Sequence, residues 1–378
     1  METETPPRKV WDDWTVIRRL LPAGWEEQAR RLGALRRARG VPNARVLLRL
    51  LLLHLAQGCS LAETAARAHQ AGWCRMTPAA VFWRLQSAEH WLRWMAEQLW
   101  LGQRRLLPVL GRRVLAVDAT TVCESGPTGS QWRLHYAINL MDLRCEFATL
   151  TDAHTGETFR HVPLKPGDVG MGDRAYGNPP GVEHAQAHGA DVLVRINLSN
   201  LPLYTPDGRR MRVLTRLRRL RIGAVHGWRA DVHAPGSVIP GRLVALKKSR
   251  RAARAARRKL RERARKTGKA LAHTTVEAAS YVTIFTTLPK DKFPARRILD
   301  WYRLRWQIEL TFKRMKSIMN FGQLPKHAAA SCRAWLHGKL LVALLVERLI
   351  AEAETFSPWG YPLAPPTQPL AGDSIHAP

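Results

Sequence analysis

Acidic residues are scarce in this chain. Its 378 residues include 30 Asp and Glu against 60 Lys and Arg, a formal net charge of +30 with a calculated pI near 11.2. Such crowding of cations is unfavourable unless a polyanion is the partner. Nucleic acid is the first reading and an anionic membrane surface the second, and composition alone does not separate them. Cysteine is also scarce: Cys59, Cys74, Cys123, Cys145 and Cys332 are dispersed with no CxxC pair. That pattern reads as reduced thiols of a cytoplasmic protein and argues against zinc fingers. The histidines show no HExxH or other metal spacing, so no zinc site is expected. The glycines of PGDVGMGD (Gly167, Gly170, Gly172) do not make a P-loop, so nucleotide hydrolysis is not implied. Long apolar runs are missing. LLRLLLLHL and LLVALLVERLI are shorter than a membrane span and bounded by charge, and they read as buried helices. The start, METETPPRKVWDDW, is not a signal peptide, and no periodic repeat is apparent.

What is present is enough apolar residue, 46% of the chain, to bury a sizeable core in two or three domains. Residues 1–19 read as a flexible N-terminus. Residues 20–106 read as all-helical, with Ser60 capping LAETAARAHQ through a capping box with Glu63, and Thr77-Pro78 opening a further helix. These two helices and their turn fit either a helix-turn-helix that contacts DNA or a plain helical bundle. Trp83, Trp91 and Trp94 are expected to fill cores. From Arg112 the texture changes. RRVLAVDAT reads as a strand ending in an acid, followed by two strands joined by a tight turn, a strand ending at Asp173, a helix and the strand DVLVRIN. That order defines an α/β core with mixed pairing over residues 112–197. Residues 198–280 interrupt it with a basic insertion in which RRMRVLTRLRRLRIG and GRLVALKK read as strands. Residues 281–350 return to the core, and the Pro- and Gly-rich tail 355–378 is expected to be disordered.

Asp118 and Asp173 each follow an apolar run, the position from which open α/β sheets present chemistry. The segment WYRLRWQIELTFKRMKSIM reads as one helix. At about 100° per residue, Trp301, Leu304, Ile308, Phe312, Met315 and Met319 make an apolar stripe, with Tyr302, Arg305, Glu309 and Lys316 grouped beside it. If that helix crosses the two strands, Asp118, Asp173 and Glu309 converge. Three crowded carboxylates repel unless protons or cations intervene, and an all-oxygen site suits Mg²⁺ or Mn²⁺. Two such ions serve in-line phosphoryl transfer. Taken singly, each Asp also fits an ordinary turn or cap role, and Arg305 with Glu309 fits a plain i,i+4 pair.

VDAT at Asp118, GDRAY at Asp173 and Y-x2-R-x3-E-x6-K from Tyr302 to Lys316 together resemble the bacterial DDE transposases of insertion sequences, the cut-and-paste enzymes carrying that Tyr-Arg-Glu-Lys signature. The resemblance spans roughly residues 40 to 350. It implies a ribonuclease H-like catalytic core interrupted by a strand-rich insertion. It also implies that Asp118, Asp173 and Glu309 carry the catalytic metals, two Mg²⁺ ions with Mn²⁺ as a substitute. By the same resemblance Arg305 and Lys316 contact phosphates and Tyr302 positions a terminal phosphate. The implied activity is cleavage at element ends and joining of 3′-hydroxyl ends to target DNA, with hairpin intermediates assisted by an insertion tryptophan such as Trp228. The implied partners are double-stranded DNA and a second copy of the chain in the DNA complex, in the bacterial cytoplasm with nucleoid association when DNA is bound. A ribonuclease H-like nuclease without joining, or a non-catalytic DNA-binding regulator of transposition, remain alternatives.

One further stretch bears on DNA. From Lys247 to Lys269 there are 13 Lys or Arg and a single acid, Glu262. Arg250, Arg251, Arg254, Arg257, Arg258, Lys259 and Arg261 on this helix read either as contacts to the DNA backbone or as a solvated arm. Arg209, Arg210, Arg212, Arg216, Arg218, Arg219 and Arg221 form a second basic patch.

Overall fold

A computed structural model describes residues 14–36, 40–101, 112–124, 130–268, 270–325 and 328–353. The start through residue 13 and the tail 355–378 therefore lie outside the described residues. Residues 14–19, expected in a flexible start, are helical.

The chain divides into two units. The first contains helices α1 (Trp14–Leu20), α2 (Trp25–Arg31), α3 (Ala44–Leu55), α4 (Leu61–Gln70), α5 (Pro78–Ser87) and α6 (Glu89–Leu101), and, from the far end of the chain, a C-terminal helix Ala329–Ala353. Side-chain caps start three of them, satisfying amide groups that a helix leaves open. Asn43 accepts from Val46 N at 2.9 Å, Ser60 from Glu63 N at 3.1 Å and Thr77 from Ala80 N at 3.2 Å. The segment expected as one helix after Pro78 is broken at Ala88 into α5 and α6. The apolar runs are buried helices as expected: Leu47, Leu48, Leu51 and Leu55 of α3 and Leu336, Leu340, Leu341 and Leu344 of the C-terminal helix are at most 2% exposed. A Cβ on Gly338 would sit 2.4 Å from Leu55, so this glycine lets the C-terminal helix press against α3. Arg333 pairs with Glu89 of α6 at 2.9 Å. The C-terminal helix thus belongs with the N-terminal helices, whereas the sequence grouped it with the α/β core. Of the tryptophans expected in cores, Trp91 is buried and Trp94 partly so, but Trp83 is exposed.

The second unit is α/β. In chain order it has β1 (Val114–Glu124), β2 (Ser130–Asn139), β3 (Cys145–Asp152), β4 (Val169–Gly172), α7 (Pro179–Ala187), β5 (Asp191–Arg195), α8 (Val213–Arg218), β6 (Val225–His233), β7 (Val238–Lys247), α9 (Arg250–Lys266), α10 (His273–Ala278), β8 (Tyr281–Thr286), α11 (Ala295–Leu304), α12 (Trp306–Ile318) and β9 (Gln323–Leu324). The strands form one mixed sheet in the order β3-β2-β1-β4-β5-β8-β7-β6, with β9 pairing β1. β1, β2 and β3 are antiparallel neighbours, β4 and β5 run parallel to β1, and β8 is antiparallel to both β5 and β7.

Alternation along the strands builds two cores. Leu115, Val117, Val192 and Val194 face Phe159, Tyr176 and Val182. On the other face Val114, Met171, Leu193, Val244 and Ile284 pack under Phe293, Ile298 and Leu299, so α11 covers that face. Two expectations fail here. The basic stretch around Arg216 is the helix α8 rather than a strand. The single helix from Trp301 is two, α11 and α12, turning at Arg305. The strands of the insertion form no separate sheet, because β6 and β7 extend the core sheet through β8. Among the described residues no helix is long and apolar enough to cross a membrane.

Candidate active site

Asp118 is not at a strand end as the sequence suggested; it lies within β1, which continues to Glu124. Pairing between β1 and β4, however, stops at Ala116 and Met171. Asp118 and Asp173 each lie two residues further on, so the register carries them to the same level beyond the last paired residues of two adjacent parallel strands. Both continue the alternation of Val114 and Met171 toward the face covered by α11. Asp118 accepts from the amide of Ala119 and Asp173 from that of Ala175, each at 2.8 Å, which fixes both carboxylates locally. Burial, and next the charge of Asp173, push Asp118 up to about 6, with Glu309 adding to the effect.

Glu309 is linked to Asp118 through Arg305. The turn between α11 and α12 places Arg305 so that one guanidinium nitrogen is 3.4 Å from Asp118 Oδ2 while another donates to Glu309 Oε1. The Arg305 side chain is 14% exposed and that of Glu309 58%, so Arg305 carries the buried end of the bridge. Tyr302, in the last turn of α11, has a buried Oη that meets no partner at hydrogen-bonding geometry; the Arg305 guanidinium stands 5.8 Å from its ring centroid. Burial, opposed by Arg305, pushes that phenol up to about 12. Lys316 is exposed on α12, two turns beyond Glu309.

Two further groups converge here that the sequence did not single out. Asn178 donates to the carbonyls of both Glu157 and Ala175, at 3.2 and 3.0 Å, and so ties the loop after β3 to the turn that follows Asp173. The Glu157 carboxyl is pushed up to about 7 by burial, then by Asp173 and Asp118. Tyr176 is fully buried against Phe159, ring centroids 5.3 Å apart, and its Oη has no hydrogen-bond partner. Burial raises this phenol well above its ordinary value, and Glu157, Asp118 and Asp173 add to the shift. Nothing local in AHTGETFR distinguishes Glu157; only the pairing of strands brings it in.

Three carboxylates make an all-oxygen donor set of the kind that suits a hard divalent ion. As the side chains stand, no three acidic, His or Cys groups among the described residues are gathered closely enough to hold an ion. Arg305 occupies the space between Asp118 and Glu309 instead.

The basic segments lie elsewhere in this unit. On α9, Ala253, Ala256, Leu260 and Ala264 form a narrow covered stripe, while Arg250, Arg251, Arg254, Arg258, Lys259 and Arg261 are exposed and Arg257 is half-buried. The second patch is divided. Arg218 is held by Glu277 through two contacts of 2.7 and 2.8 Å. Arg209, Arg210, Arg212, Arg216, Arg219 and Trp228 line a cavity of about 750 Å³, with His226 against the tryptophan at 4.6 Å between centroids. Neither Asp118 nor Asp173 lines that cavity.

The chain belongs to the transposase DDE domain family, whose model matches residues 110–345. It is 31% identical over 359 residues to the putative transposase InsL of the insertion elements IS186A and IS186B from Escherichia coli K12, covering 92% of this chain and 96% of theirs. It is likewise 31% identical to the transposase of insertion element IS421 from Escherichia coli, over 92% of this chain and 96% of that one. Among solved structures, the piggyBac transposase synaptic complex with hairpin DNA aligns with a TM-score of 0.44 at 10% identity, over 82% of this chain and 64% of that one.

Proposed function

We propose that this chain cleaves DNA at the ends of an insertion element and joins the freed 3′-hydroxyl ends to target DNA. The observation that carries the reading is that the register of two adjacent parallel strands brings Asp118 and Asp173 level, with Glu309 joined to Asp118 through Arg305. The order β3-β2-β1-β4-β5, antiparallel and then parallel, supports a ribonuclease H-like core. Asp118, Asp173 and Glu309 would hold two Mg²⁺ ions, with Mn²⁺ as a substitute. Such ions, when bound, activate water or a 3′-hydroxyl and stabilise the leaving oxygen.

The chain's own groups do the positioning. Arg305, released from the carboxylates, meets a backbone phosphate, which its planar fork suits. Lys316 contacts the strand further along α12, and the Tyr302 hydroxyl aligns a terminal phosphate. The exposed cations of α9 hold double-stranded DNA with little sequence choice. Bringing two element ends together requires two copies of the chain in the DNA complex. Hairpin intermediates, and Trp228 as the aromatic group that assists them, belong to the same reading. Alanine at Trp228 should block hairpins if that tryptophan serves.

The deciding experiment incubates the protein with Mg²⁺ and duplexes carrying the sequences that flank its gene. Wild type and Glu309→Gln are compared for nicking, double-strand release and joining to a plasmid. Joining by wild type alone, with the mutant reduced at least about a thousandfold, is expected. Cleavage without joining identifies a nuclease, and tight binding without cleavage a regulator.

A further inference from the structure

We propose that Arg174, Arg195 and Lys248 form a pocket for a DNA backbone phosphate beside the acidic site. The inference rests on the DNA-processing function above and adds to it a place where the strand is held.

The register puts Asp173 beside Arg195 and leaves Lys248 past the end of β7. Pairing between β4 and β5 ends at Gly172 and Val194, so the next residues, Asp173 and Arg195, stand level on neighbouring strands. Arg195 continues the alternation of Leu193 toward the face under α11. Lys248 continues that of Val244 and Leu246 toward the same face, and its amide still bonds Ser280 O at 3.0 Å, extending the ladder past β7. Because β8 is antiparallel to both neighbours, β7 runs with β4 and β5. Residues 173 and 195 therefore stand at the carboxyl end of the sheet, where open α/β sheets receive ligands, and Lys248 follows the end of β7 four residues beyond Val244, the residue level with Arg195. A Cβ at Gly177 would lie 3.1 Å from Arg195 O. The turn after β4 thus rests on the end of β5 and carries Arg174 there.

These cations are short of partners. None of the three forms an ion pair among the described residues, and the only carboxylate close to Arg174 is Asp173 itself. Lys248 Nζ donates to the carbonyl of Ala279 at 2.7 Å, a neutral acceptor that leaves its charge uncompensated. Arg195 Nε is buried with no hydrogen-bond partner. Buried donors left unmade are costly, and three neighbouring cations repel. In keeping with that, burial together with Arg195 and Arg174 pushes Lys248 down to about 8. A tetrahedral anion with several acceptor oxygens satisfies all of these groups at once. One strand from Asp173, that anion is the phosphate next to the one being cut. The sheet therefore reads across as acids at β1 and β4 and cations at the end of β5 and past the end of β7.

The test scans an element-end duplex in which single phosphates are neutralised as methylphosphonates, against wild type, Arg195→Gln, Arg195→Lys and Lys248→Gln. Each glutamine variant is expected to bind on the order of tenfold more weakly, with a salt slope lower by about one. Arg195→Lys should keep most of the affinity. One neutralised phosphate beside the cleavage point should weaken wild type by a similar factor and leave Arg195→Gln no weaker still. Wild-type affinity in both glutamine variants, or losses that add fully at every position, would overturn the pocket. Unchanged melting and unchanged Mn²⁺ titration report an intact fold and acidic site. Should Arg195→Gln fail to fold, Lys248→Gln carries the same scan. Wild type that binds the duplex without cutting it would overturn the function proposed above, while the phosphate scan would still judge the pocket.

Discussion

Glu157 is ionised at a cost. Its carboxyl is raised from 4.5 to about 7 by burial and by Asp173 and Asp118. A carboxyl whose pKa is higher in the folded than in the unfolded state loses stability as pH rises. The penalty is absent below the unfolded value of 4.5 and complete above about 7. Glu157→Gln should therefore raise the melting temperature of the metal-free protein at pH 8, by about 2–4 °C, and by less than half as much at pH 5. Calorimetry at the two pH values checks this, and an equal gain at both would mean the group is not held among the acids. Arg305 works in the opposite sense, since it neutralises Asp118 and Glu309. Without DNA, Arg305→Ala should bind Mn²⁺ several-fold more tightly than wild type, because a competing cation has gone. Weaker Mn²⁺ binding by the variant would mean that Arg305 helps build the site and does not compete for it.

At the scale of elements, β4 and the turn after it are tightly constrained. A Cβ at Gly172 would sit 2.5 Å from Tyr176 Cβ, and one at Gly170 would sit 2.8 Å from the Phe159 ring. Gly172→Ala should cost about 1–3 kcal/mol in urea unfolding, the range for overpacking, and should weaken metal binding by displacing Asp173. Gly156, with nothing within 4 Å of its Cβ position, is the control and should be neutral as Ala. The capped starts of α4 and α5 were legible in the sequence because a cap acts through residues three apart. The break at Arg305 was not, because the apolar stripe runs on through it from Ile298 to Phe312. Nor was the helix α8 within a stretch read as strand, since Arg and Leu alternate there in a pattern compatible with both periods.

Across the whole molecule the dominant quantity is the net charge of +30. Self-repulsion of that size is relieved by salt or by a polyanion. The exposed cations of α9 are the part of it most open to DNA. Changing Arg250, Arg251, Arg254 and Arg258 to Gln should lower the slope of log affinity against log salt by about 3–4, near 0.9 per phosphate contact, without lowering the melting temperature. An unchanged slope would leave α9 a solvated arm. The two units also show where sequence order misleads. The C-terminal helix follows the acidic helix in the chain yet packs with α3, α5 and α6, through contacts such as Gly338 against Leu55.

The sequence by itself determined the family, through Asp118, Asp173 and the Tyr302–Lys316 pattern, and the charge that calls for a polyanion. It also determined the alternation of the strands and the caps of α4 and α5, because these depend on side-chain chemistry and on neighbours a few residues away. Only the tertiary structure decided that the register brings Asp118 and Asp173 level, that Arg305 bridges Asp118 to Glu309, and that Glu157 and Tyr176 lie within the influence of the same acids. It likewise decided that Arg195 and Lys248, read from the sequence as part of a strand and of a charge run, come within electrostatic reach of Arg174. Each of these depends on which strands pair and in what register, and register is set by burial of whole faces rather than by any short stretch of chain.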